Sequence, residues 1–192
     1  MKIVLASSSP RRQQMLREAG IDFEICAVEI DENAVSGESA AQLVCRLAAH
    51  KAAAAAELFP GSLCLGADTL VVCGTEICGK PADLAEAEAM LLRLSGRSHS
   101  VFTGVSLQRQ PDLCLIWHAE TIVHFKQLSP DDIRAYFALV NPLDKAGAYA
   151  IQEHGEMIVA GIEGLRSNVI GLPLEQVQER LHEIAAADSL RS

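Results

Sequence analysis

The sequence predicts an α/β fold around a mixed β-sheet. Helical and strand patterns alternate along the chain, and two long strand patterns stand side by side with only the turn-forming "RQPD" between them. A length of 192 residues, 49% of them hydrophobic, suffices for one well-buried core but not for two large ones. No internal repeat and no linker interrupts the pattern, so residues 1–192 read as a single domain.

The first element is a short apolar strand over 2–6, followed by a helix over 10–19 in which Ser9 takes the N-cap and Pro10 the first helical position. A second strand pattern covers 22–27. The spacing of Ala40, Leu43, Leu47, Ala54 and Leu58 predicts a long helix over 39–58, and "AAAAAE" continues it instead of marking low complexity. Strands follow at 63–68 and 70–73, with a hairpin through "GTEICGK". A helix over 83–94 has a start signal in Asp83 with Glu86 three residues on. The paired strands at 98–108 and 113–125 come next. A helix over 130–140 opens on Ser129 and Pro130, and a last helix covers 174–187.

Composition narrows the function. The formal net charge of −9 argues against non-specific binding to DNA, RNA or anionic lipid, which draws on clustered positive charge. No apolar run reaches the roughly 18 residues of a membrane span, and the N-terminus lacks the pattern of a secretory leader, so the chain reads as cytoplasmic. The six cysteines, Cys26, Cys45, Cys64, Cys73, Cys78 and Cys114, form no CxxC pair and read as buried free thiols; the six histidines show no metal-ligand spacing.

Against that acidic background the informative cations are those among small or apolar neighbours. "LASSSPRR" places Arg11 and Arg12 in the first turn of a helix, where the dipole disfavours cations and favours anions. The pair is either solvated or part of an anion site that suits phosphate. In "LCLGADTLVV", Asp68 interrupts an apolar run. Buried without partners an ionised Asp costs several kcal/mol, so it either caps a turn between strands or serves as a metal ligand or general base, with Thr69 beside it facing the same cleft. Lys51 falls on the apolar stripe of the long helix, pointing into a pocket or snorkelling to its edge. The acidic stretch "EIDENA" could bring Glu32 toward the same place, and is equally well a solvated loop.

"GTEICGK" matches most of a P-loop, but Pro81 follows where a hydroxyl is required, so a P-loop is rejected; Lys80 remains able to reach a phosphate. There is no GxGxxG and no GxSxG. "DKAGAYAIQ" has small residues that let backbone approach a ligand, and Gln152 offers an amide able to donate and accept together; the segment is equally a turn into a strand.

Together, "LASSSPRR", "ESAAQLVCRLAAHKA", "LGADTLVV", "GKPADLAEAEAMLLRLSGRSHSVFTGV", "PLDKAGAYAIQ" and "SNVIGLPLE" resemble the Maf family in order and spacing over nearly the whole chain. The resemblance implies an elongated mixed sheet with flanking helices, like inosine triphosphate pyrophosphatases, and a central cleft. It also implies hydrolysis of a nucleoside triphosphate to monophosphate and diphosphate with a divalent metal, Mg or Mn, and a homodimer. Asp68 matches the family's proton acceptor, activating a water that attacks the α-phosphorus, and with Glu32 matches the metal-holding carboxylates. Arg12, Lys51 and Lys80 match the basic residues around the triphosphate, which Ser9 and the helix N-terminus would help cradle.

Arg11, Thr69 and Gln152 match the positions that follow substrate choice, and look like the subgroup acting on dTTP and UTP. The subgroup taking 7-methyl-GTP carries Trp, Gln and Glu there. Two alternatives stand beside this reading: a pyrophosphatase for 7-methyl-GTP or other modified nucleotides, and a non-catalytic nucleotide-binding regulator of septum formation.

Overall fold

The computed structural model describes residues 2–190. Seven strands form a mixed sheet with helices flanking it: β1 (Ile3–Leu5), β2 (Glu24–Ile25), β3 (Leu63–Cys73), β4 (Glu76–Cys78), β5 (Ser98–Arg109), β6 (Leu113–Phe125) and β7 (Val159–Glu163). The strand order is β2-β1-β3-β5-β6-β7, with β4 paired to β3. The helices are α1 (Pro10–Glu18), α2 (Ala40–Leu58), α3 (Leu84–Leu94), α4 (Pro130–Phe137), α5 (Arg166–Ile170) and α6 (Leu174–Ser189). No helix among the described residues is long and apolar enough to cross a membrane.

The chain divides into two compact units, and β3, β5 and β6 contribute residues to both. The first comprises the chain up to Asp68, Thr103–His118 and the chain from Gly171 onward. Here β1 lies parallel to both β2 and β3, with Ile3, Val4 and Leu5 opposite Leu63, Cys64 and Leu65. Val4, Ala6, Cys26, Ala55, Ala56 and Cys64 form a core under α2. That helix opens on a reciprocal cap. Ser39 Oγ accepts from Gln42 N–H at 3.2 Å while Gln42 Oε1 accepts from Ser39 N–H at 2.9 Å.

Two glycines let α2 come close to the sheet. A Cβ on Gly66 would overlap the Ala48 carbonyl oxygen and lie 2.7 Å from Ala52 N, and one on Gly104 would overlap the Val44 carbonyl. The buried face of α2 accordingly runs through Leu43, Val44, Leu47, Ala48, Ala52, Ala55 and Ala56. Small residues touch the strand and Leu58 is exposed, so the stripe is rotated from the one its leucines suggest.

The second unit comprises Thr69–Phe102 and Ala119–Ile170. Val71, Val72 and Cys73 of β3 pair antiparallel with Cys78, Ile77 and Glu76 of β4, so "GTEICGK" is the hairpin its sequence predicts. Leu91, Leu94, Phe125, Ile133, Tyr136, Tyr149 and Ile158 lie in its core. Asp83 caps α3 by accepting from Glu86 N–H at 2.8 Å, and Ser129 caps α4 in a reciprocal pair with Asp132.

Several boundaries differ from the sequence expectation. The break expected after Asp68 is absent: β3 continues through it as one strand. Only Glu24–Ile25 of the 22–27 pattern pairs, and β7 and α5 are additional. No cysteine is disulfide-bonded; Cys114 is exposed and Cys45 half-buried, so the buried-thiol expectation holds for the other four.

Candidate functional site

In the first unit, β1 ends at Leu5 and the chain turns through three serines into α1. Ser9 occupies the N-cap with extended backbone but makes no side-chain cap bond; Pro10 is the first helical residue. Ser7 instead gathers the turn. Its Oγ accepts from Ser9 N–H and from Arg12 Nη1, each at 3.2 Å. Arg12 also donates from Nε to the Gly171 carbonyl at 2.8 Å.

The Arg12 side chain is thus folded inward and buried, while Arg11 is half-buried. Burial lowers the Arg12 pKa, the neighbouring Asp68 charge opposes that fall, Arg11 adds to it and Glu32 opposes it. No acidic residue stands in the first turn of α1. The N-terminus of the helix and the two arginines therefore make one electropositive corner beside the carboxylates.

Those carboxylates meet on Lys51. Its Nζ lies 2.6 Å from Asp68 Oδ1 and 2.7 Å from Glu32 Oε1. The Lys51 and Asp68 side chains are 12% and 14% exposed, whereas Glu32 is 62% exposed and reaches in from its loop. Gly66 explains why the contact forms. By admitting α2 onto β3, it brings Lys51, the neighbour of Ala52, to Asp68 two residues along the strand.

The Glu32 loop is held from the same helix. Arg46 donates from Nε and Nη2 to the two Glu38 carboxylate oxygens, both at 2.8 Å, and from Nη2 to the Asn33 carbonyl at 3.0 Å. Asp31 Oδ1 accepts from Asn33 N–H at 3.0 Å, closing a local turn around Glu32. The loop that "EIDENA" left open between solvated and functional is tied down on both sides of Glu32.

In the second unit, Thr69 follows Asp68 in β3 and is half-buried. Lys80 is exposed just beyond β4, and the Gly79 carbonyl accepts from Gly147 N–H at 3.1 Å. That bond joins the end of the "GTEICGK" hairpin to "DKAGAYAIQ", bringing together two stretches that the sequence marks separately. Gln152 is exposed at a turn.

The pattern that matches the chain decides its kinship: a model of the family described as Maf-like protein covers residues 2–184. The chain belongs to that family. A dTTP/UTP pyrophosphatase of Symbiobacterium thermophilum is 52% identical over 94% of this chain and 92% of its own length. One of Geobacter sulfurreducens is 48% identical over 96% and 97%. The HAM1 protein of Coxiella burnetii shares the fold, with a TM-score of 0.58 at 21% identity over 95% of this chain and 99% of its own. The Ham1 protein of Staphylococcus aureus does likewise, at 0.56 and 15% over 95% and 99%.

Sequence reasoning missed three residues of this Maf family member that shape its candidate site. Ser7 was hidden among three serines, and only its contact with Arg12 separates it from its neighbours. Arg46 looked like any exposed helix cation; its partner Glu38 stands eight residues away across the helix start, outside the usual three- or four-residue pairing. Lys145 stands in a polar stretch, yet it is 5% exposed.

Proposed function

We propose that the chain hydrolyses dTTP and UTP to the nucleoside monophosphate and diphosphate. The observation that carries the chemistry is Lys51 held between Asp68 and Glu32, beside the buried Arg12. A carboxylate and a cation are kept together in a mostly desolvated corner, next to a helix N-terminus suited to phosphate. The names of the relatives, at about half identity over nearly full length, support the choice of substrate.

In this reading Asp68 takes the proton from a water as the water oxygen bonds to the α-phosphorus. The bond from that phosphorus to the bridging oxygen of the β-phosphate breaks, and diphosphate departs. Lys51, freed from Asp68 as substrate enters, Arg12 and Lys80 offset the charge growing on the leaving diphosphate. Ser9 and the first turn of α1 bind phosphate oxygens. Arg11, Thr69 and Gln152 select the base. An amide that pairs with the uracil or thymine edge rejects a base that leaves it unpaired.

A divalent cation suits the donor set. Asp68 and Glu32 aim hard carboxylate oxygens at a single positive atom, and no group of three or more His, Cys, Asp or Glu able to hold a metal occurs among the described residues. Two carboxylates, with water and phosphate oxygens completing the shell, match how Mg is held in nucleotide enzymes. Bound there, Mg or Mn would withdraw charge from the phosphate oxygens.

The test is diphosphate release from dTTP, UTP, CTP, GTP and 7-methyl-GTP, with Mg, Mn or chelator. Metal-dependent turnover favouring dTTP and UTP supports the proposal. Preference for 7-methyl-GTP overturns the assignment of Arg11, Thr69 and Gln152, and nucleotide binding without turnover overturns the enzyme reading.

A further inference from the structure

We propose that Ser98, His124 and Glu163 form a second reactive site, on the sheet of the second unit, where the Ser98 hydroxyl accepts acyl groups from uncharged carboxylic esters. None of the three belongs to the groups assigned above to phosphate, metal or base, so the inference stands apart from that reading.

The three side chains come from neighbouring strands. In the order β5-β6-β7 the middle strand supplies His124. Alternation turns His99, Val123 and Phe125 into the core, and leaves Ser98 exposed and His124 half-buried on the opposite face. Ser98 Oγ lies 2.7 Å from His124 Nδ1, and His124 Nε2 lies 3.0 Å from Glu163 Oε1. A carboxylate can only accept, so Nε2 carries a proton. The neutral ring then has its lone pair on Nδ1, and the Ser98 hydroxyl donates to it. A hydroxyl on one ring nitrogen, with a carboxylate holding the other, is the arrangement that activates serine in hydrolases, here with the two nitrogens exchanged.

Two features of β7 aim and open the ring. Its register against β6 slips by one residue at this point: His124 stands opposite Gly161, but Phe125 opposite Val159. Such a bulge re-aims the side chains beside it. Glu163, opposite Ile122, thereby reaches the imidazole on the diagonal. A Cβ on Gly161 would lie 3.9 Å from His124 Cδ2, so any longer side chain there would cover the ring that glycine leaves accessible.

The surroundings choose the electrophile. Glu163 and Glu120 flank the serine on a chain of net charge −9, which disfavours anionic substrates and favours a neutral ester. Ser98 Oγ bonds to the acyl carbon as its proton passes to His124 Nδ1. The bond from that carbon to the alcohol oxygen breaks, and the departing alcohol takes the proton from the imidazole. Water, deprotonated by the same nitrogen, then cleaves acyl-Ser98 to the carboxylic acid and restores the hydroxyl. At an exposed serine the oxyanion is solvated by water, so esters with good leaving groups react fastest.

The experiment treats the protein with p-nitrophenyl acetate, quenches with acid, and maps acetylated residues by peptide mass spectrometry, with thermal melts on every variant. The expected result is acetyl on Ser98, absent in Ser98→Ala. Its rate of appearance should fall about a hundredfold in His124→Phe and about tenfold in Glu163→Gln. Glu163→Asp, which keeps the charge, should retain more of the rate than Glu163→Gln. Ser100 donates to Glu120 Oε1 at 2.8 Å with no imidazole between them, and should stay unlabelled. Glu163 is exposed, so its variants carry the test should His124→Phe fail to fold. Acetyl confined to lysines, or spread equally over Ser98 and Ser100, overturns the proposal. So does labelling of Ser98 at the wild-type rate in folded His124→Phe and Glu163→Gln, which would leave the three residues a cross-strand staple.

Discussion

Lys51 Nζ stands 2.6 Å from Asp68 Oδ1, pairing the cation of α2 with the carboxylate of β3 across an interface made of glycine and alanine. Neither charge would be stable there alone, because a partly buried ion left unpaired costs several kcal/mol. In the function proposed above, the same pair becomes available for chemistry when a triphosphate offers Lys51 another anion.

Asp68→Asn should therefore separate fold from function. The amide keeps the size of the side chain and an oxygen toward Lys51, which retains Glu32, so the melting temperature should move by only a few degrees. Without a proton acceptor, turnover of dTTP should fall by about a thousandfold. Diphosphate release and a thermal melt on the same preparation check this, and turnover within tenfold of wild type would remove Asp68 from its assigned role.

The Glu32 loop supplies a second prediction. Arg46 grips Asn33 and Glu38, so Arg46→Met should free the loop without touching either carboxylate of the site. In the reading given above, the Mn concentration for half-maximal activity should rise about tenfold, the scale seen when groups that orient metal ligands are removed. Hydrogen exchange of residues 31–36 should quicken in the same variant. Direct Mn titration by electron paramagnetic resonance, without nucleotide, should show the same weakening, and an unchanged midpoint would leave Arg46 a purely structural role.

The residues that sequence alone exposed share a physical signature: a charge where an apolar pattern makes charge expensive. Asp68 in "LCLGADTLVV" and Lys51 on the α2 face stand out for that reason, and the structure joins them. The same reasoning misplaced the end of the strand. A carboxylate looks like a terminator until a lysine from another element pairs with it, and β3 runs straight through Asp68. Lys145 was invisible for the opposite reason. Its neighbours in "PLDKAG" are those of a solvated turn, yet it is buried, with its ammonium 2.9 Å from the Asn141 carbonyl and Asp144 Oδ1 and 3.4 Å from Glu153 eight residues later. Strand β7, half-exposed and interrupted by Gly161, has too short and weak an alternation to be read at all.

Close packing gives a third prediction. Gly66→Ala puts a methyl into the backbone of α2 at Ala48 and Ala52, which cannot retreat as a flexible side chain would. Overpacking of this kind costs about 1–3 kcal/mol. It should also push Lys51 away from Asp68, so activity should fall further than stability alone explains. Kinetics well below the melting transition would show the separate loss. A variant as active as wild type would mean that the Lys51–Asp68 contact tolerates displacement of the helix.

The last prediction concerns acid. His99 in β5 is 3% exposed and packs edge-on against Phe125 and Tyr149, at ring-centroid distances of 4.9 and 5.4 Å. Its Nε2 meets the Tyr149 hydroxyl, but Nδ1 is buried with no hydrogen-bond partner among the described residues. Burial, with a smaller contribution from His124, drives its pKa down from 6.5 to about 4. Between those values the unfolded chain binds a proton that the folded chain refuses, so unfolding free energy falls as pH drops from about 6.5 toward 4. The full loss is on the order of 3 kcal/mol, a large part of the stability of a domain this size. The carboxylates with lowered pKa, Glu38 and Asp132, add to the decline only near and below the ordinary carboxylate range, so the interval from pH 6.5 to 5 isolates the histidine from them. Urea unfolding across that interval should show wild-type stability falling steadily with acid. His99→Gln should start lower at pH 7, having lost its packing, and fall less steeply. Parallel slopes in the two proteins would show that His99 takes up its proton without unfolding the core.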